Sequence, residues 1–120
     1  KLYIPVDPDK NRPTVEKNMA DENSIYNEVK RLIKLRNSHP ALSNKGDVKF
    51  IYAEKDAYPL AYTRELGGEK LLVIINPSAK EADFECDIVP TGEIYRYGGN
   101  AVCENGKVKI AAQSAVIFRI

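Results

Sequence analysis

The sequence predicts a mainly β chain: an extended head, one amphipathic α-helix, and then an antiparallel Greek-key sandwich of about eight short strands. Three observations carry this. A single stretch, 21–42, has apolar residues at helical spacing. From residue 43 onward the period drops to two. Turn signals then recur every 8–12 residues or so, the spacing of a sandwich rather than of alternating helices and strands.

The head, residues 1–22, contains prolines at 5, 8 and 13 and several Asp and Asn turn formers, with few periodic apolar positions. It reads as a connector, ordered only where it has something to lie on. Asp21, Asn23 and Ser24 are all good N-caps for the helix that follows. At 100° per residue Ile25, Tyr26, Val29, Leu32, Ile33 and Leu35 share one broad face. Pro40 ends the pattern, because the residue before a proline is pushed out of the α region. Helix and turn together occupy 23–42, and the β-domain occupies 43–120. Arg36 falls inside the apolar stripe. A guanidinium aimed at a core needs a partner, so Arg36 is expected to act as a structural clamp held by a carboxylate or by backbone carbonyls.

The strands follow in order. Asp47–Ala53 alternates, with Val48, Phe50 and Tyr52 expected on one side. Tyr58, Leu60 and Tyr62 alternate in the next strand. Gly67-Gly68 makes a tight turn into Lys70–Ile75, whose unbroken apolar run predicts a central strand buried on both faces. Asn76-Pro77-Ser78 ends it. Ala82, Phe84 and Cys86 line a half-buried strand closed by Pro90-Thr91-Gly92. Ile94–Tyr97 stops at Gly98-Gly99. Asn105-Gly106 predicts a type I′ hairpin between Ala101–Glu104 and Lys107–Ala111. Ala115–Ile120 closes the domain, with Val116, Phe118 and Ile120 on one face.

Composition narrows the function classes. The 120 residues are 43% apolar and 29% charged, with a formal net charge of +1. Neither a basic stripe nor a basic amphipathic face appears, which argues against nucleic acid or a membrane surface as partner. No apolar run approaches the roughly 20 residues that span a bilayer. The sequence lacks an initiating Met and begins within a motif, so it is expected to be a piece of a longer protein. Cys86 and Cys103 are expected as free, buried thiols, pointing weakly to a reducing, cytoplasmic setting.

Candidate chemistry is sparse. Asp7, Asp9 and Glu16 in the head are ordinary loop formers. Asp7, Asp9 and Asn11 have the alternate spacing of part of a calcium loop but lack its glycine and its distal glutamate. His39, the sole histidine, is expected to serve a structural role at the helix end, despite the adjacent Ser38. No metal ligand set and no cofactor site is expected. The chain has no Trp. Tyr52, Tyr58, Tyr62 and Tyr95 sit at positions expected to pack, which leaves Tyr97, beside Gly98-Gly99, as the candidate for an exposed sugar contact.

The string SIYNEVKRLIKLRNSHPAL, residues 24–42, resembles the last helix of the catalytic barrel in α-amylase-family glycoside hydrolases, in particular the α-glucosidase and oligo-1,6-glucosidase branch. The head LYIPVDPDKNRPTVEKNMADENS resembles the segment before that helix, and LLVIINPS resembles a strand of the family's C-terminal β-domain. The resemblance implies a connector at 1–22 leading from a catalytic barrel, the last barrel-type helix and turn at 23–42, and a C-terminal sandwich at 43–120. It implies a non-catalytic part of an α-glucan-degrading enzyme whose partners are its own barrel and, through it, an α-glucan oligosaccharide. The carboxylate pair that cleaves the glycosidic bond belongs to barrel strands; nothing in this sequence matches those motifs, so no catalytic residue is assigned. A carbohydrate-binding module and a protein-interaction sandwich are the alternatives. With its barrel strands absent, the helix could also pair two copies of the chain.

Overall fold

The computed structural model describes Ala20, Glu22 and residues 24–120. The chain forms two compact units, Lys1–Ser38 and His39–Ile120.

In the first unit, helix α1 runs Ile25–Ser38. Ser24 is its N-cap: the Ser24 hydroxyl accepts a hydrogen bond from the Asn27 amide at 3.2 Å, and its carbonyl accepts the first intrahelical bond, from Glu28. Arg31 donates to Glu28 at 2.6 Å and to the Glu22 carbonyl at 2.9 Å, tying the approach to the first turn. The helix stops before Pro40, and the Ser38 hydroxyl caps the Lys34 carbonyl. None of its residues is buried. The stripe itself lies open, with Ile25 80% and Ile33 56% exposed.

The second unit opens with a 3₁₀ turn, Pro40–Leu42. Eight strands follow: β1 Asp47–Tyr52, β2 Leu60–Leu66, β3 Glu69–Asn76, β4 Ala82–Glu85, β5 Gly92–Tyr97, β6 Ala101–Glu104, β7 Lys107–Ile110 and β8 Ser114–Arg119. They form two antiparallel sheets, β1-β2-β3-β8-β5 and β4-β7-β6. The last strand returns between β3 and β5, the non-sequential order typical of Greek-key sandwiches. The Asn105-Gly106 hairpin has φ of 52° and 75°, both left-handed, as a type I′ turn requires.

The core between the sheets is built from Ala61, Leu72, Ile74, Val116 and Phe118 on one side and Phe84, Val108 and Ile110 on the other. β3 is central and its residues from Leu71 to Ile74 are all buried. Because side chains alternate, Leu71 and Val73 must point to the sheet's outer face while Leu72 and Ile74 point in. Register carries that outer face across the strands: Val48 pairs with Arg64, Arg64 with Leu71, and Leu71 with Arg119.

β1 departs from the expected alternation. The register shifts between Phe50 and Tyr52, and such a bulge turns subsequent side chains to the opposite face. Phe50 stays outside, 63% exposed, edge-on to Tyr62 with ring centroids 6.0 Å apart. Tyr52 turns inward and stacks on Phe84 at 5.4 Å, joining the two sheets. Tyr58 also differs from expectation. It precedes β2 in the 53–59 loop and is 53% exposed, so it does not pack as a strand residue.

Candidate functional site

Two regions of the second unit concentrate polar organisation; of their residues the sequence singled out His39, for a structural role, but not its partner Glu69 or the buried amide of Asn76. The first is the strap 39–46. Glu69 opens β3, directly after the Gly67-Gly68 turn, and its carboxylate reaches the strap at two points. Oε2 lies 2.8 Å from His39 Nδ1, and Oε1 accepts from the Ala41 amide at 3.1 Å. Desolvation works to raise the Glu69 pKa. The hydrogen bonds from His39 and Ala41, with the charges of His39 and Arg119, outweigh it and hold the carboxyl below its ordinary range. An ionised Glu69 is acceptor-only, so Nδ1 carries the proton. Arg64, on β2, donates to the Ser43 carbonyl. Its Nε is buried with no hydrogen-bond partner among the described residues. Gly46 closes the strap: a Cβ there would lie 2.2 Å from the Ala41 carbonyl oxygen, so only glycine fits without a shift. Glu69 pairs with Leu66, and Leu71 with Arg64, so these four share one face. The strap crosses that face, where Ala41 and Leu71 are both fully buried.

The second region is Asn76, at the end of β3 and wholly buried. Its Nδ2 donates to the carbonyls of Lys80 at 2.8 Å, Ala111 at 3.0 Å and Ile110 at 3.4 Å. Its Oδ1 accepts from the Ser78 amide at 3.1 Å and hydroxyl at 2.7 Å. One side chain thus joins the end of β3 to the end of β7 across the two sheets.

Tyr97 ends β5 and is 51% exposed. It borders a shallow groove of about 260 Å³ with Pro77, Gln113 and Ala115. Arg36 is exposed on α1, where it has interactions of its own. His39 is engaged by Glu69 and stands beyond the end of the helix. Asp7, Asp9, Asn11 and Glu16 lie outside the described residues. Cys86 and Cys103 are free and half-buried, and burial pushes the Cys103 thiol up. Beside the Glu69–His39 contact, ion pairs join Glu93 to Arg96 at 2.9 Å and Asp83 to Lys107 at 3.4 Å. Among the described residues no group of three or more His, Cys, Asp or Glu is placed to hold a metal ion. No helix among them is long and apolar enough to cross a membrane.

No protein-family model matches the sequence. Individual relatives do. An oligo-1,6-glucosidase of Parageobacillus thermoglucosidasius is 37% identical over 94 residues, covering 78% of this chain and 16% of the relative. An α-amylase of Dictyoglomus thermophilum is 36% identical over 100 residues, covering 83% of this chain and 20% of the relative. The chain is homologous to α-amylase-family glycoside hydrolases. The fold agrees: the structure of a trehalulose synthase from Pseudomonas mesoacidophila superposes with a TM-score of 0.82 at 24% identity, covering 99% of this chain and 22% of the synthase. The chain spans about a fifth of the length of the proteins it matches.

Proposed function

We propose that the chain is a non-catalytic C-terminal part of an α-glucan-degrading glycoside hydrolase. In this reading residues 1–22 connect from a catalytic barrel, 23–42 supply its last helix and turn, and 43–120 form a sandwich that packs on the barrel and stabilises it. The observation that carries the proposal is α1. It has a barrel-type amphipathic stripe, yet Ile25, Val29, Leu32 and Ile33 all stay substantially exposed. A stripe of that width needs an apolar surface to cover it, and the relatives, about four to five times this length, have the additional chain that could provide one. Arg36, within the stripe, is then a clamp between helix and barrel.

The test is Ile25→Glu with Ile33→Glu, made both in the 120-residue chain and in the full-length protein. The chain should keep its sandwich stability within about 0.5 kcal/mol, as for surface changes. The full-length protein should lose thermal stability and glucosidase activity together. Unchanged activity and melting temperature in the full-length protein, or hydrolysis of maltotetraose by the chain alone, would overturn the proposal. A homodimer through the stripe is the competing occupant, and it would show as a concentration-dependent sedimentation coefficient abolished by the same double change.

A second reading is favoured by the exposure of Tyr97: the sandwich itself contacts α-glucan there, with an aromatic face against a sugar ring and Gln113 beside it. Titration with maltotetraose should then shift the Tyr97 and Gln113 resonances without hydrolysis, and the absence of shifts would reject it.

A further inference from the structure

We propose that Glu69 and His39 form a protonation-sensitive latch that holds the strap 39–46 down on the β2–β3 hairpin and controls whether the outer face at Leu71 is covered. The inference is independent of the enzyme reading, because it rests only on contacts inside the second unit.

The strap has few anchors, and they converge. It is held to the sheet by one carboxylate with two hydrogen bonds and by the Arg64 guanidinium on the Ser43 carbonyl. The remaining strap hydrogen bonds are local: Leu42 to His39, Ser43 to Pro40 and Gly46 to Ser43. Local bonds shape the strap but do not attach it to the sheet. Of these two charged anchors Glu69 is the one whose charge is lost in acid, because the Arg64 guanidinium stays protonated. The groups that face it are His39 and the Ala41 amide from the strap and Arg119 from β8, while its β2 partner, Leu66, is apolar. Desolvation favours the neutral acid, but His39, the Ala41 amide and Arg119 each favour the carboxylate and together outweigh it. Protonating Glu69 removes one charge-assisted acceptor and puts a hydrogen opposite His39 Nδ1–H. Both strap contacts weaken together, and such contacts are stronger than neutral ones.

The direction follows from linkage. A carboxyl whose folded pKa lies below its unfolded value contributes stability that is complete above the unfolded value, in the ordinary carboxylate range. That contribution is lost as pH falls through the lower folded value. The latch is thus shut at neutral pH and releases only in acid. Its side chains are accessible to protons: 15% of His39 and 22% of Glu69 remain exposed. Release would uncover Leu71 and free the segment that follows α1.

Hydrogen exchange in the 120-residue chain, read as protection factors so that intrinsic pH effects cancel, tests this directly. The Ala41 amide should be protected at pH 7. It should lose at least about tenfold in E69A, the loss expected for a hydrogen bond to a charged group, while Val73 and Ile117 keep their protection. Wild-type protein taken by acid titration to below the ordinary carboxylate range should show the same selective loss, which does not depend on any variant folding. The His39 imidazole ¹⁵N shifts should report a protonated Nδ1 in wild type and a changed tautomer balance in E69A. Unchanged Ala41 protection, or a loss spread equally over the sheet, would overturn the latch.

Discussion

Replacing Asn76 by aspartate tests whether a buried amide, rather than packing alone, locks the end of β3 to the end of β7. The substitution changes one NH₂ for an oxygen at nearly constant volume. Asn76 donates two well-formed bonds, to Lys80 and Ala111, and accepts two, from Ser78. At about 1 kcal/mol net for each bond, truncation to alanine should cost about 3–4 kcal/mol. Aspartate keeps the two accepted bonds but turns an acceptor toward three carbonyls, in a site with no solvent exposure. Leaving a charge buried and uncompensated costs about 3–5 kcal/mol, and the two lost donor bonds add to it. Asn76→Asp should therefore destabilise more than Asn76→Ala, although it removes no atoms from the core. A domain of this size has about 5–15 kcal/mol in total, so the aspartate variant should be close to unfolded at neutral pH and partly rescued in acid as the carboxyl neutralises. Urea unfolding followed by far-ultraviolet circular dichroism gives both values by linear extrapolation. Finding Asn76→Asp within about 1 kcal/mol of wild type, or clearly more stable than Asn76→Ala at pH 7, would refute the reasoning.

Further outcomes follow from single contacts. Phe84→Ala empties a position 4% exposed and stacked on Tyr52, and should cost about 3–5 kcal/mol in the same assay. Gly46→Ala must displace the Ala41 carbonyl; it should cost about 1–3 kcal/mol and remove Ala41 amide protection as E69A does, which NMR exchange would check. Gly106→Ala forces a Cβ onto φ of 75° with Asp87 Oδ1 3.0 Å away, and should cost about 1 kcal/mol without altering the Glu69-dependent acid behaviour.

The strands were legible because each rule acted on neighbouring residues. Turns at Gly67-Gly68 and Asn105-Gly106 need left-handed backbone, which marks them in any context. The apolar run Leu71–Ile75 declared itself central because a strand with no polar side can exist only where both faces are covered. Ser24 was visible as a cap by residue type, and the structure selects it to bond the Asn27 amide. The β1 expectation failed at Tyr52 since alternation assumes an unbroken ladder, and a bulge between Phe50 and Tyr52 has no mark in a single sequence. Tyr58 failed for a related reason: the strand starts two residues later than the apolar alternation does.

Sequence by itself determined the helix, its stripe, the order of the eight strands and the two glycine-bearing hairpins. It also determined a family resemblance that the relatives bear out. Period, capping and turn chemistry are properties of a few consecutive residues, and they act before the chain meets itself. The tertiary structure alone decided that Glu69 grips His39 and Ala41 across about 30 residues of sequence, that Arg64 seats Ser43, and that Asn76 ties β3 to β7. A glutamate after a Gly-Gly turn and an asparagine before a proline look like ordinary surface and loop residues. Their partners are backbone groups and side chains from distant strands, and a backbone carbonyl has no letter in the sequence. Which acid is ionised, which amide is buried and which face of the sheet is covered are set by the meeting of segments, and that meeting exists only in the folded chain.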